Sequence, residues 1–314
     1  MKCHGKKIYL LKIIFVIYKH GRGKDLDFSF MKLKNITLSH EHPRIDLSVG
    51  KNDSDCLLSM YDDALDELKE IHAKGVTRIV DCSNHGIGAD WSKNELIEKE
   101  TGIKIVRSTG FYKDPFLPEY VPTSTVEDLC NIMRKDISNG AQVIGEIGTS
   151  KGVWTENEHK VFEAAAIVQK ETNAVIITHT SLGTLIKEQI DFFVSKNINM
   201  RKVIISHVAL SNDLDAIRYA LDKGANVAFD TIGKVKYLPE ETRISFIKTL
   251  INEGYTKQLL MSMDITRKSH LKKNGGVGYA YMIDNFIPLL IQNGVKEDDI
   301  NQIITQNFSD ILEA

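Results

Sequence analysis

The chain has 314 residues, of which 42% are hydrophobic and 26% charged, and its 40 Lys and Arg residues against 42 Asp and Glu residues leave a formal charge of −2. This composition excludes an intrinsically disordered chain, which has few apolar residues and a large net charge. It also argues against nucleic acid as a partner, because proteins that bind nucleic acid carry a clustered basic excess.

The four cysteines, Cys3, Cys56, Cys82 and Cys130, predict neither a zinc–thiolate site nor a disulfide framework. No two of them stand at C-x-x-C spacing, and four are few for a chain of this length. We therefore expect a cytoplasmic protein in a reducing compartment.

The first thirty residues differ from the rest of the chain. Their apolar run, 8–18, contains Lys12 and is shorter than the roughly 20 residues that a membrane-spanning helix needs. A basic start before an apolar stretch also occurs in signal peptides, but KHGRGK stands where a small-residue cleavage site should follow. We expect residues 1–30 to be an extension outside the core domain, or to precede a true start at Met31. Export or a membrane-surface role is the alternative, so we expect no membrane partner unless this extension is a real anchor.

From residue 31 onward, short runs rich in Val and Ile alternate with longer segments of helical periodicity. The predicted strands are 36–40, 76–82, 103–110, 142–147, 175–179, 202–207, 226–230 and 258–264. The clearest predicted helices are 57–74, 124–139, 155–172, 213–223, 239–254, 279–293 and 298–312. Several of these helices end at a glycine, such as Gly75, Gly140, Gly224 and Gly254, which is typical of a helix C-terminus.

This alternation of strands and helices predicts parallel strands joined by right-handed crossovers. Eight such strands predict an α/β fold of the (β/α)8 TIM-barrel type, formed by one domain over residues 31–314. An open doubly wound sheet is the alternative, but no G-x-G-x-x-G turn follows the first predicted strand.

Polar side chains stand at the ends of several predicted strands. In a TIM barrel the active site lies at the C-terminal ends of the strands, so these side chains should converge. They are His40 and His42 after the first strand, Glu146 on the fourth, His179 on the fifth, His207 on the sixth and Asp264 on the eighth.

The histidines favour a metal site. His40 and His42 are two residues apart, which on a strand points both rings to the same face, and imidazole is a good zinc ligand. A lone H-x-H is often a chance pair of solvated rings, and a single strand-end histidine is usually a satisfied core residue. The equivalent positions of His179 and His207 on consecutive strands are hard to explain by packing.

The two carboxylates have alternative interpretations. Asp264 at a buried strand end is costly unless it is paired or bound to a metal, although it could also cap the next helix. Glu146 is either a salt-bridged strand carboxylate or a carboxylate that bridges two metals. His270, in the loop after the last strand, is a possible substrate contact, whereas His85 is a weaker loop candidate.

Seven stretches resemble the phosphotriesterase family of the amidohydrolase superfamily, in particular the phosphotriesterase homology proteins of bacteria. They span nearly all of residues 33–313 and are TLSHEHPRIDLS (37–48), TGFYKDPFLPEYV (109–121), IGEIGTS (144–150), ITHTS (177–181), SHVALSNDLD (206–215), VAFDTIGK (227–234) and SMDITRKSHLKKNGGVGY (262–279).

The resemblance implies a distorted barrel with two divalent metal ions, commonly zinc, at the C-terminal end of the strands. It implies that His40, His42 and Asp264 bind the more buried metal and that His179 and His207 bind the more exposed one. Many family members bridge the metals with a carboxylated lysine, but this sequence has Glu146 there, so the resemblance implies an unmodified bridge.

We expect a zinc-dependent hydrolase that uses a metal-bridging hydroxide on a small ester-like substrate, namely a lactone or a carboxylic or phosphoric ester. Asp264 is the expected catalytic proton acceptor, and no G-x-S-x-G motif predicts a serine nucleophile. The alternatives are a cyclic amide hydrolase or deaminase of the amidohydrolase type, and a non-catalytic metal-binding scaffold.

Substrate contacts are expected from the loops that follow the strands. Tyr112 resembles a tyrosine that lines lactonase pockets, although a packing role is equally compatible with the sequence. Arg267, together with Lys268, gives the predicted mouth a positive charge that would suit an anionic ester, lactone or phosphate. Asp230 is either a support for the site or a helix cap. The expected partner is a small-molecule substrate, and related barrels suggest a homodimer.

Overall fold

The computed structural model describes residues 33–314. The predicted extension, 1–30, and the first two residues of the predicted domain lie outside the described residues. The strands are β1 (Ile36–Glu41), β2 (Arg44–Asp46), β3 (Leu57–Ser59), β4 (Val76–Asp81), β5 (Lys104–Val106), β6 (Ser108–Thr109), β7 (Val143–Thr149), β8 (Val175–Thr180), β9 (Val203–Ser206), β10 (Asn226–Phe229) and β11 (Leu259–Met261).

Helices separate most of these strands along the chain. The α-helices are Ser48–Lys51, Met60–Asp63, Leu65–Ala73, Trp91–Thr101, Val126–Ser138, Glu156–Thr172, Ile186–Ser195, Leu214–Asp222, Glu240–Asn252, Ile287–Gln292, Glu297–Asn301 and Asn307–Glu313. Two π-helical turns, Met282–Phe286 and Gln302–Gln306, precede helices near the C-terminus. Short 3-10 turns are Ser54–Cys56, Ser181–Gly183, Met200–Lys202, Val208–Ser211, Thr256–Gln258, Lys268–His270 and Lys272–Asn274.

The barrel strands are all parallel to their neighbours. One run of pairing joins β1, β4 and β5, and a second joins β6, β7, β8, β9, β10 and β11. A single residue, Arg107, separates β5 from β6, so the two occupy one strand position of the ring. The Ser39 hydroxyl of β1 donates a hydrogen bond to the Met261 carbonyl of β11 at 3.1 Å, which joins the first strand to the last. The predicted (β/α)8 barrel is confirmed.

Alternate residues of the strands fill the barrel interior. Val80, Val143, Ile177 and Ile204 belong to one buried cluster with Phe308 of the last helix. Branched side chains of this kind fill the layers of a TIM barrel, so the barrel is a packed core rather than a pore. The functional side chains are therefore restricted to the strand ends.

Two of the outer helices begin with reciprocal hydrogen bonds that fix where they start. Thr125 and Thr155 each accept a bond from the backbone N–H three residues on, and the carboxylates of Asp128 and Glu158 accept one from the threonine N–H in return. Such capping boxes satisfy donors that a helix N-terminus otherwise leaves unpaired. They define how the loops after β6 and β7 enter their helices.

Predicted helix 57–74 is wrong at its start. Residues Leu57–Ser59 form β3, which pairs antiparallel with β2 and buries Leu58 against Ile45. The helical periodicity begins only at Met60 and is interrupted before Leu65. Tertiary pairing overrides the local pattern here, because an extended Leu58 can bury its side chain against β2.

Predicted helix 279–293 is also irregular. Pro288 stands at the beginning of the Ile287–Gln292 α-helix and has no N–H to donate to a preceding carbonyl. The turn before it, Met282–Phe286, is π-helical. Among residues 33–314, no helix has the length and apolar character that crossing a bilayer requires.

Candidate metal centre

The structure brings all six predicted ligand residues to one end of the barrel. His40 lies in β1 and His42 follows it, Glu146 lies in β7 and His179 in β8, while His207 and Asp264 follow β9 and β11. These are different strands, and their carboxyl ends meet at the same rim because the strands are parallel. Among residues 33–314, potential ligand atoms within 4.8 Å of one another form three sets: His40 with His42 and Asp264, Glu146 with His179 and His207, and His40 with His207 and Asp230. The first two sets contain the six predicted residues.

Glu146 lies between the two sets and approaches all four histidines. Its Oε2 atom is 3.3 Å from His40 Nε2, 3.2 Å from His179 Nδ1 and 3.3 Å from His207 Nε2. Its Oε1 atom is 3.6 Å from His42 Nε2. Oε2 thus approaches histidines of both sets, and Oε1 approaches His42, so this carboxylate lies where it could contact two cations.

Asp264 completes the set on β1. Its Oδ1 atom lies 3.3 Å from His42 Nε2 and 4.0 Å from His40 Nε2, and its Oδ2 atom accepts from Lys234. Burial alone would raise the pKa of Asp264, but the ammonium of Lys234 holds that pKa well below its ordinary value. The carboxylate is therefore ionised and available as a ligand or a proton acceptor.

The histidine rings are oriented by hydrogen bonds on their outer nitrogens. His40 Nδ1 lies 3.0 Å from the Ser206 hydroxyl, and His42 Nδ1 lies 3.1 Å from the Ser83 hydroxyl. Both Nε2 atoms are fully buried and, within residues 33–314, make no well-aligned hydrogen bond, although Glu146 and Asp264 oxygens lie 3.3 Å away. An unpartnered buried nitrogen is costly, whereas a ring whose other nitrogen is fixed by a neighbour is typical of a metal-ligating histidine. The donor set therefore fits divalent cations.

The protonation states of His179 and Glu146 agree with this fit. Burial alone would lower the pKa of His40 and of His207, but Glu146 raises the first and Asp230 the second. Burial lowers the pKa of His179 to about 4, so its ring is neutral near pH 7 and has a lone pair to share. Burial alone would raise the pKa of Glu146, but the His179 and His40 rings hold that pKa well below its ordinary value. Histidine binds metals through a neutral imidazole, and glutamate binds them as an ionised carboxylate.

Asp230 supports His207 rather than capping a helix. Its Oδ1 atom accepts from the His207 backbone N–H at 3.0 Å and lies 2.8 Å from His207 Nδ1. The fully buried carboxylate thereby holds a residue whose backbone is left-handed, with φ 60°. It also lies 3.3 Å from His40 Nδ1, so one carboxylate orients ligands from both sets.

Glu41, inside the H-E-H sequence itself, supports the candidate site, and the sequence did not predict this role. Its buried carboxylate accepts hydrogen bonds from the Ser262 hydroxyl and from the backbone N–H groups of Met263, Asp264 and Ile265, at 2.8, 2.8, 3.1 and 3.0 Å. These four bonds fix the segment that carries Asp264. The alternation along β1 could have shown that Glu41 points away from the His40 face, but not what it contacts.

Tyr112 lies where the sequence predicted a substrate contact. It lines a cavity of about 240 Å³ over the metal ligands, and its hydroxyl is 3.2 Å from each ring nitrogen of His179. Burial raises the pKa of this phenol well above its ordinary value, so it keeps its proton.

Arg267, the other predicted substrate contact, lies outside the cavity that Tyr112 lines. Its guanidinium pairs with Asp53 at 2.7 Å and Asp55 at 3.5 Å, and it lines a neighbouring cavity of about 720 Å³ together with His270. His85 pairs with Asp136 at 2.7 Å at a third position on the barrel. Neither Arg267 nor His85 lines the cavity over the metal ligands.

This barrel, with its candidate metal-ligand set at the strand ends, defines a hydrolase of the phosphotriesterase type. The model of the phosphotriesterase family matches residues 32–312, and the chain belongs to this family. It is similar to the phosphotriesterase homology protein of Escherichia coli K12, with 39% identity over 88% of this chain and 97% of that protein. The crystal structure of the E. coli protein, which contains phosphate in its active site, matches with a TM-score of 0.86 over 89% of this chain and 99% of that chain.

More distant relatives hydrolyse different bonds. The aryldialkylphosphatase of Saccharolobus solfataricus is 29% identical over 86% of this chain and 92% of its own length. The N-acetyltaurine hydrolase of Dictyostelium discoideum is 28% identical over 89% of this chain and 80% of its own length. The structure of the lactonase Lmo2620 from Listeria monocytogenes is 27% identical, with a TM-score of 0.83 over 90% of this chain and 95% of that chain. These likenesses support a metal-dependent hydrolase.

Proposed function

We propose that this protein is a binuclear metal-dependent hydrolase that cleaves a small ester-like substrate, either a lactone or a carboxylic or phosphoric ester. His40, His42 and Asp264 would hold one cation and His179 with His207 the other. The position of Glu146 between these two sets is the observation that carries the proposal, because its two oxygens approach all four histidines. Zinc is the metal we expect from the imidazole and carboxylate ligands.

Two divalent cations held by these residues would make a water acidic enough to act as the nucleophile and would polarise the carbonyl or phosphoryl oxygen of the substrate. The metal-bridging hydroxide expected from the sequence is part of this proposal. Asp264, ionised at the rim, accepts the proton of the nucleophile and returns it to the leaving group. Tyr112 keeps its phenolic proton and can donate it in a hydrogen bond to a substrate oxygen.

The proposal also concerns which type of bond the protein hydrolyses. The likeness to the Listeria lactonase supports a lactone, and the family and the Saccharolobus enzyme support a phosphoric ester. Hydrolysis of an amide is the second candidate, favoured by the likeness to N-acetyltaurine hydrolase. A cytoplasmic location and a homodimer stay predictions from the sequence.

A panel of lactones, aryl phosphotriesters, carboxylic esters and N-acyl amides tests this proposal. The protein is stripped of metal, reloaded with zinc, and assayed beside Asp264→Asn as the matched inactive control. We expect turnover of at least one ester or lactone that depends on zinc and is lost in the variant. Two bound metals without turnover of any compound would favour the non-catalytic scaffold, and turnover of amides alone would favour the second candidate.

A further inference from the structure

The cavity over the metal ligands has an excess of positive side chains. Three lysines line it, Lys51, Lys113 and Lys234, against two acidic residues, Glu146 and Asp264. Both acidic residues belong to the proposed metal-ligand set, and Lys234 is already paired with Asp264. Lys51 and Lys113 are therefore the cations of this cavity that no carboxylate neutralises.

Lys113 projects over aromatic side chains rather than toward an acid. Its ammonium lies 5.5 Å from the centre of the Tyr112 ring and 5.6 Å from that of Phe116, and it donates to the backbone carbonyl of Asp114 at 3.0 Å. Within residues 33–314, no carboxylate oxygen lies within 4.0 Å of this ammonium.

Lys51 ends the short Ser48–Lys51 helix and also lines the cavity. In the part of the chain that the structure describes, its ammonium has neither a hydrogen bond nor an ion pair. Burial lowers the pKa of both lysines; for Lys113, Glu158 and Glu146 raise the pKa in part, and the charge of Lys51 lowers it. Lys51 is exposed and Lys113 is half-buried, so an anion that enters the cavity would meet two ammonium groups that have no ion-pair partner among the described residues.

Other cations on the same side of the barrel are neutralised, so this arrangement is not a general property of the surface. Arg267 pairs with Asp53, Lys268 with Asp63 at 3.4 Å, and Lys272 with Glu70 at 2.7 Å. None of these three lines the cavity over the metal ligands.

We infer that the substrate carries an anionic group, a carboxylate, phosphate or sulfonate, apart from the bond that is cleaved, and that Lys51 and Lys113 bind this group. The inference rests on the proposed function and deepens it by naming the class of substrate. With about 240 Å³ of space, the cavity is below the usual range for drug-sized ligands, which fits a small charged metabolite. The aromatic faces of Tyr112 and Phe116 would pack against its apolar part.

A pair of chromogenic esters tests this inference: mono-4-nitrophenyl glutarate, which is anionic, and its methyl ester, which has the same skeleton without the charge. In the zinc-loaded enzyme we expect kcat/KM to be at least about tenfold higher for the anion. In the Lys51→Gln/Lys113→Gln variant this preference should disappear through a higher KM, with kcat and the rate on the methyl ester within about twofold of wild type. Lys268→Gln is the matched control and should keep the preference.

Calorimetric titration with glutarate separates failure of the inference from failure of the proposed function. We expect glutarate to bind the zinc-loaded wild type about tenfold more tightly than the double variant. If both esters are hydrolysed equally and the double variant behaves as wild type, the inference is wrong while the hydrolase stands. If neither ester is hydrolysed, the titration alone decides. Tighter glutarate binding to wild type than to the double variant would support the anion site, and equal binding to the two proteins would overturn the inference.

Discussion

Replacing Glu41 by Gln should loosen the segment that carries Asp264. The carboxylate accepts three hydrogen bonds at Oε1 and one, from the Ile265 N–H, at Oε2. Gln has one acceptor oxygen, so it can keep the three bonds at Oε1 but must turn an NH2 group toward the Ile265 N–H. One bond is lost outright, and the other three become bonds to a neutral acceptor.

The magnitude follows from these four bonds. Loss of a buried hydrogen bond to a charged group costs about 1.5–3 kcal/mol, and hydrogen bonds to a neutral acceptor are weaker than those to a carboxylate. We therefore expect the free energy of unfolding of the metal-free protein to fall by about 2–4 kcal/mol, which is roughly 4–8 °C in melting temperature. Displacement of Asp264 should weaken metal binding by about 10–100-fold, as is usual when a group that orients a ligand is changed.

Scanning calorimetry and zinc titration measure the two effects, and Glu67→Gln is the control. Glu67 also accepts backbone N–H bonds after the last strand, from Lys272 at 2.8 Å and Tyr279 at 3.0 Å, but it belongs to none of the candidate ligand sets. The control should lose stability yet bind zinc like wild type. The reasoning is refuted if Glu41→Gln matches wild type in both measurements, or if the control weakens zinc binding equally.

Three further results are expected. Asp264→Asn and His179→Ala should bind less than the full complement of metal and lose turnover by more than about 100-fold, measured by elemental analysis and steady-state kinetics. Asp230→Asn should stay folded but bind zinc about tenfold more weakly by titration, because His207 loses its carboxylate partner. Burial lowers the pKa of His270 from 6.5 to about 4, so folding disfavours its charged form and stability falls as pH drops from 6.5 toward 4. In His270→Gln that fall, followed by urea unfolding at each pH, should be smaller.

The sequence predicted the barrel and the convergence of the six ligand residues because both depend on local patterns. A run such as VIITHT shows at once where a strand lies and that His179 ends it. Once eight strands are parallel, their ends must meet. The metal-ligand roles of these residues stay a prediction, since their placement shows that they can act together and not that they bind a metal.

The contacts that support the site could not be predicted in this way. Glu41 and Asp264 are 223 residues apart, so their hydrogen bond depends on how the barrel closes. The charge of the cavity was assigned to Arg267 because it follows the last strand, yet its side chain pairs with Asp53. Lys51 was overlooked because a lysine beside a short polar helix is usually solvated. Helix Trp91–Thr101 was missed because its sequence, WSKNELIEKET, has few apolar residues at helical spacing.

Metal analysis of the purified, undenatured protein tests the central claim most directly. We predict about two divalent ions per chain after zinc supplementation, falling toward none in a His40→Ala/His42→Ala/Glu146→Ala variant that still shows the far-UV circular dichroism of a folded barrel. A folded wild-type protein that binds no zinc under these conditions would contradict the account, and so would a triple variant that binds as much zinc as wild type.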